Sequence, residues 1–382
     1  MKKRTIFLTG LLCAMALLIA LAVGCVPDDG DEQDAVDCSE TILRAVPIDP
    51  AAAGPWPVGS KTVEAAGLVT EVWYPAVPGS EAGQQKDWID TRQYMPDSDP
   101  DPADPKFQVN AYADLPLDAA YGPYPVIVYV HGTGSFRQAS HALFTHWASR
   151  GFVVLCADNP GINLGDLMEG GLGSLLSADQ AGDTRALLDA VRAQSGELSF
   201  LEGAVATDRI GLSGHSAGGM AVSGLGDESG VRVIISMASG GVDEGSSVES
   251  AMIMGGMEDN AATESTVRSA YEGTAMKKRL VLIPDAGHNV FINVCPIVEE
   301  TDMDLGSLTA IANDGCGPEY MDPDESVKIV QFAATGAFEE VLMCSETAAD
   351  ELDTIETRYP GVAYEYDASG SSSGHSSFFG WR

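Results

Sequence analysis

Basic residues are scarce in this 382-residue chain: 21 lysines and arginines stand against 56 aspartates and glutamates, a formal net charge of −35. So acidic a surface repels phosphate backbones and anionic headgroups, which excludes nucleic acid as an expected partner. The acidity reads instead as solubility, or as adaptation to an extracellular or saline setting. Metal signatures are missing as well. Neither Cys-x-x-Cys nor His-Glu-x-x-His occurs, so no structural or catalytic zinc is expected. An acidic stretch at 97–104 lacks the sixth-place glycine and closing glutamate of a calcium loop, and its prolines fix the wrong backbone. No long low-complexity tract interrupts the body of the chain, and apolar residues make up 45% of it, enough for a sizeable core.

The amino terminus reads as an export signal: Lys2-Lys3-Arg4, an apolar segment over 6–23, then Gly24-Cys25. Leu21-Ala22-Val23-Gly24-Cys25 resembles a bacterial lipobox, with Ala22 where a large aliphatic residue is usual. The expectation is a lipoprotein signal peptide at 1–24, lipidation at Cys25 and an acidic flexible tether at 25–41. A plain cleaved signal peptide and a retained membrane anchor are the alternatives. Val26 after the cysteine fits the outer membrane better than inner-membrane retention, so the expected location is the cell envelope, as an outer-membrane lipoprotein reaching the membrane through lipidated Cys25, with secretion as the alternative.

Export makes disulfides possible. Cys156 sits in the apolar run Phe152-Val153-Val154-Leu155-Cys156 and is expected to be a buried free thiol. Cys38, Cys295, Cys316 and Cys344 allow three pairings among which the sequence does not choose. Nearness along the chain favours Cys295 with Cys316.

The body of the chain alternates short apolar strands with helices. A strand is predicted at 68–74, a loop-like stretch from 77 to 124, and then strands at 125–130, 152–156, 209–213, 231–237, 251–254 and 280–283. Helices are predicted at 138–149, 178–194 (with Ala186, Leu187, Leu188 and Val191 on one face), 263–276 and 324–344. This alternation predicts an α/β fold, a doubly wound, mostly parallel sheet flanked by helices, in one catalytic domain over 42–350. Residues 289–322 read as a Cys-containing insertion and 351–382 as a partly mobile C-terminal extension. A monomer is expected.

Ligands of such sheets bind beyond the carboxyl ends of the strands. Gly214-His215-Ser216-Ala217-Gly218 follows one of them and fits a sharp strand-to-helix turn with Ser216 at its tip. Asp259 follows the strand at 251–254 and His288 the strand at 280–283. A serine nucleophile needs a base and a carboxylate that orients it, and the order Ser216, Asp259, His288 supplies them. Oxyanion donors are expected from the backbone N–H of Ala217 and of Thr133, the latter in His131-Gly132-Thr133-Gly134. Glu258 is the alternative acid and His375 an alternative base. His215, beside the serine on a sharp turn, is a poor base, and His131 reads as structural.

These residues, with Gly54-Pro55-Trp56-Pro57-Val58-Gly59, Val72-Trp73-Tyr74-Pro75-Ala76, Pro125 to Gly134, Gly151 to Asp158 and Asp208 to Gly219, resemble the α/β-hydrolase superfamily. Within it the chain is similar to platelet-activating-factor acetylhydrolase-like and dienelactone-hydrolase-like esterases, with the bacterial cutinase or polyester hydrolase group as a neighbour. The resemblance implies a cofactor-free serine carboxylesterase acting on short acyl esters, with Ser216, Asp259 and His288 as triad. It departs from many relatives in having Ala217 after the serine and in the insertion at 289–322, both bordering the expected acyl pocket. The expected substrate is a small-molecule or lipid-like ester. Polyester or lipid hydrolysis, peptidase activity and a silent binding lipoprotein are the alternatives.

Overall fold

All seven residues of Tyr124–Val130 are buried. Side chains alternate between the two faces of a strand, so such a run requires cover on both. The computed structural model describes residues 36–39, 41–96, 104–301 and 303–369. The signal peptide, Cys25, most of the tether, the acidic stretch at 97–103 and the tail from 370, His375 included, lie outside the described residues.

In chain order the strands are β1 (Val58–Ala65), β2 (Leu68–Pro75), β3 (Trp88–Asp90), β4 (Lys106–Gln108), β5 (Tyr112–Ala113), β6 (Tyr124–Val130), β7 (Val153–Ala157), β8 (Val205–His215), β9 (Val231–Met237), β10 (Ser250–Gly256), β11 (Lys278–Ile283) and β12 (Ala363–Asp367). The helices are α1 (His141–Ser149), α2 (Leu164–Gly170), α3 (Gln180–Ala193), α4 (Ala217–Ser223), α5 (Glu264–Gly273), α6 (Val294–Thr301), α7 (Thr309–Ala312), α8 (Pro323–Leu342), α9 (Glu346–Leu352) and α10 (Ile355–Arg358).

One ten-stranded sheet carries the order β12-β11-β10-β9-β8-β6-β7-β2-β1-β5. From β7 to β11 neighbouring strands run parallel, so their carboxyl ends share one edge. β2 joins β7 antiparallel, and β12 joins β11 antiparallel. The expected α/β-hydrolase architecture, a mostly parallel sheet flanked by helices, is the one observed. α1 and α8 pack on one another and on the sheet, as do α3 and α4.

Local chemistry accounts for the helix boundaries. The Asp322 side chain accepts the N–H of Asp324, Pro323 opens α8, and Asp324 and Glu325 place negative charge in its first turn. Asp179 caps α3 through the N–H of Gly182. The buried face of α3 is Thr184, Leu187, Leu188 and Val191; Ala186 is exposed instead, because Thr184 lies one turn before Leu188.

Three stretches differ from expectation. The loop-like stretch of 77–124 contains β3 and β4, which pair only with each other, and β5, a two-residue addition beside β1. β1 mixes Ser60, Lys61, Thr62 and Glu64 with apolar residues and forms a hairpin with β2. The extension expected from 351 contributes α10 and β12, so residues 363–367 complete one edge of the same sheet. A disulfide joins Cys38 to Cys344, and a second joins Cys295 to Cys316, the pair favoured by proximity. Cys156 is free and buried.

Candidate active site

The carboxyl ends of β6, β8, β10 and β11 bring four loops together. β8 ends at His215, and Ser216 turns the chain into α4 with φ 54° and ψ −120°. A positive φ is unusual for a residue with a Cβ and persists where surrounding structure enforces it. Here the Ser216 N–H is held by the carbonyl of Met237 at 2.9 Å, and its carbonyl accepts the Ser239 hydroxyl at 2.8 Å. Glycine is required where α4 crosses β6, because a Cβ on Gly218 would run into the carbonyl of Val130.

His288 Nε2 lies 2.9 Å from Ser216 Oγ, and His288 Nδ1 lies 2.9 Å from Asp259 Oδ2. The second oxygen of Asp259 accepts the backbone N–H groups of Ala261 and Ala262, each at 2.7 Å. Burial works to raise the Asp259 pKa. The hydrogen bond from His288, the charge attraction to it and those two amides outweigh burial and hold the carboxyl below its ordinary value. Glu258 is exposed, whereas Asp259 is buried, so of the two carboxylates only Asp259 meets the imidazole.

His215 and His131 also sit here, in other roles. His215 Nε2 is 2.8 Å from the carbonyl of His288, which makes that nitrogen the donor. Burial, then the neighbouring His288, push His215 down to about 3. His131 Nε2 accepts the N–H of Asn159 at 3.1 Å and its Nδ1 donates to the carbonyl of Gly132 at 2.8 Å. His131 therefore shapes the loop that carries Thr133. The adjacent Gly132 lets that loop approach the serine: a Cβ there would lie 3.0 Å from Ser216 Cβ. Among the described residues no hydrogen bond engages the backbone N–H of Thr133 or of Ala217.

Sequence reasoning missed the support behind this loop. The Arg137 backbone N–H donates to Asp158 Oδ1 at 2.7 Å and its guanidinium to Asp158 Oδ2 at 2.5 Å, with Glu71 Oε2 3.5 Å from its Nε. Arg137 lies close after the glycines in sequence, but Asp158 follows β7 and Glu71 lies in β2, so spacing alone gives no sign of the cluster.

A cavity of about 330 Å³ opens at Ser216 and His288. Its walls are mostly apolar and include Phe136 and Leu164, with Ile292, Ile297, Met303 and Leu305 from the 289–322 insertion.

Residues 105–159, which include β6, α1 and β7, match the family model of platelet-activating factor acetylhydrolase, isoform II. The fold is similar to that of a ferulic acid esterase from Streptomyces cinnamoneus, with a TM-score of 0.63 and 20% sequence identity, over 82% of this chain and 98% of that one. The chain has the α/β-hydrolase fold. No curated protein matches the sequence. Residues 289–322, which include α6 and α7 and the Cys295–Cys316 disulfide, share the lining of the cavity with Ser216.

Proposed function

We propose that this α/β-hydrolase cleaves carboxylic esters through an acyl-enzyme on Ser216. The observation that carries the reading is the unbroken chain of contacts from Ser216 Oγ through His288 to Asp259, each 2.9 Å, at the carboxyl edge of the sheet. His288 Nε2 takes the hydroxyl proton as Oγ attacks the ester carbonyl, and the N–H groups of Thr133 and Ala217 receive the developing oxyanion. The tetrahedral intermediate collapses, the alkoxide leaves with the proton from His288, and the acyl group remains on Oγ. Water then gives a proton to His288 and attacks the acyl-enzyme; Oγ departs, recovers that proton, and the carboxylic acid is released. Asp259, held ionised, keeps Nδ1 protonated and stabilises the imidazolium.

The apolar cavity beside Ser216 suits the acyl side of the ester. Its volume lies at the small end of small-molecule sites, about 300–1,000 Å³, which favours compact acyl groups over long lipid chains. Lys2-Lys3-Arg4, the apolar segment after them and Gly24-Cys25 support an exported lipoprotein anchored through Cys25, and the acidic surface supports a role away from nucleic acid.

Ser216→Ala is expected to abolish hydrolysis of p-nitrophenyl acetate and labelling by a fluorophosphonate while leaving the protein folded. Labelling that survives the substitution overturns the assignment of the nucleophile.

A further inference from the structure

Asp259 and His288 sit on separate loops, and one side chain from the insertion joins the two. Asp314 Oδ1 accepts the backbone N–H of His288 at 3.3 Å, and Oδ2 accepts the backbone N–H of Asn260 at 3.2 Å. The Asn260 side-chain amide adds a third contact at 3.3 Å and the Tyr320 hydroxyl a fourth at 3.5 Å, both to Oδ1. The Asp314 carbonyl accepts the N–H of Asn289 at 2.8 Å, and the neighbouring carbonyl of Ala312 accepts the Asn289 side-chain amide at 3.1 Å. Gly287 lies flat against this turn, since a Cβ on it would come 2.6 Å from Asp314 Oδ1. Two residues further on, Cys316 is bonded to Cys295 of α6, whose Ile297 and Val298 line the cavity.

A carboxylate has two acceptor oxygens and no donor, so it satisfies two converging N–H groups at once, and charge strengthens both bonds. We propose that Asp314 is a positioning residue. It fixes the separation of the loop bearing the acid from the loop bearing the base, and it ties that separation to the disulfide-closed cap that walls the acyl cavity. Asp314 touches neither Ser216 nor the imidazole of His288, so its effect on turnover passes through the backbone of residues 260 and 288. The inference rests on the Ser216 mechanism above.

Asp314→Asn is nearly isosteric but can accept only one of the two backbone N–H groups through its oxygen; Asp314→Ala accepts neither. The test measures p-nitrophenyl acetate hydrolysis per serine titrated by fluorophosphonate, so that unfolded molecules do not count. Misplacement of a catalytic group by about 1 Å lowers turnover on the order of 10²-fold. The expected result is a kcat roughly 10- to 100-fold lower for Asp314→Ala, intermediate for Asp314→Asn, with KM within about threefold of wild type. Fluorophosphonate labelling slows in the same order. Unchanged kcat per titrated serine in both variants overturns the proposal, as does a loss carried by KM alone. Wild-type labelling at Ser216 is read in the same experiment, which separates failure of the nucleophile assignment from failure of this one.

Discussion

The rings of His215 and His288 lie with centroids 4.8 Å apart, yet only His288 meets the serine. His215 turns its Nε2 to the His288 carbonyl at 2.8 Å, and its Nδ1 is buried without a protein partner. The residue before the nucleophile thus anchors the backbone of the base and takes no proton itself. Burial, then the proximity of His288, push its pKa down to about 3, so it stays neutral at any working pH.

Replacing His215 by phenylalanine keeps a ring and removes the donor. The His288 carbonyl is then left without that partner, at a cost of about 1–3 kcal/mol, and the base loses one restraint. The expected outcome is a lower denaturation midpoint with kcat for p-nitrophenyl acetate reduced about tenfold. His215→Gln, which retains a donor, is expected to recover part of both. Wild-type kcat and midpoint in His215→Phe would refute the anchoring role.

Stability is expected to fall on acidification from neutral pH. Burial lowers His141 and His146 to about 4 and His215 to about 3, against an ordinary 6.5. Each is neutral when folded and charged when unfolded between those limits. Their stabilising term is complete above 6.5 and is lost as pH falls toward 4 and 3. Glu71 acts in the opposite sense: burial raises it from 4.5 to about 7, so its term is present below 4.5 and lost as pH rises toward 7. Burial raises Asp183, Glu249 and Glu339 in the same sense as Glu71 and lowers His131 in the same sense as the other histidines; the three large histidine shifts outweigh the one large carboxyl shift at about 1.4 kcal/mol per pKa unit. The urea midpoint therefore drops between pH 6.5 and 4.5, and the drop is shallower in His141→Phe. A midpoint that rises over that interval contradicts the assignment.

How much of this was legible depended on how local the signal was. β6, β7 and the central stretches of β9, β10 and β11 are short apolar runs because both faces of each are covered, and the sequence displays that directly. Ser216, Asp259 and His288 meet because each closely follows a strand, β8, β10 and β11 in turn, and the parallel sheet puts the ends of all three on one edge. β12, at one edge of the sheet, and β1, beside the two-residue edge strand β5, escaped notice because strands near a sheet edge mix apolar with polar residues, as in Ala363-Tyr364-Glu365-Tyr366-Asp367. Asp314 and the Glu71–Arg137–Asp158 cluster carry no sequence signal. Their partners are distant along the chain, and lone acidic residues are common in a protein with 56 of them.

Arg150 shows how strongly a single buried cation can hold such an acidic chain together. It follows α1 with no exposed side-chain surface and bonds Glu339 of α8 in a forked pair, Nε to Oε1 at 2.6 Å and Nη2 to Oε2 at 3.0 Å. Its remaining donors reach the carbonyls of Pro47, Asp49 and Ala52 at 2.9, 3.1 and 2.6 Å, pinning the segment before β1 to the two helices. Arg150→Ala leaves Glu339 buried without a counter-charge and three carbonyls without their donor, an expected loss of about 3–5 kcal/mol. Arg150→Lys keeps the charge but not the planar fork, and is expected to recover only part of that. In Arg150→Met with Glu339→Leu the stranded charge is gone but the three carbonyls still lack a donor, so recovery is again partial. Urea unfolding of the three variants gives the order: wild type, then Arg150→Lys and the double variant, then Arg150→Ala. A double variant as unstable as Arg150→Ala would mean that the carbonyl contacts, rather than the ion pair, dominate at this junction.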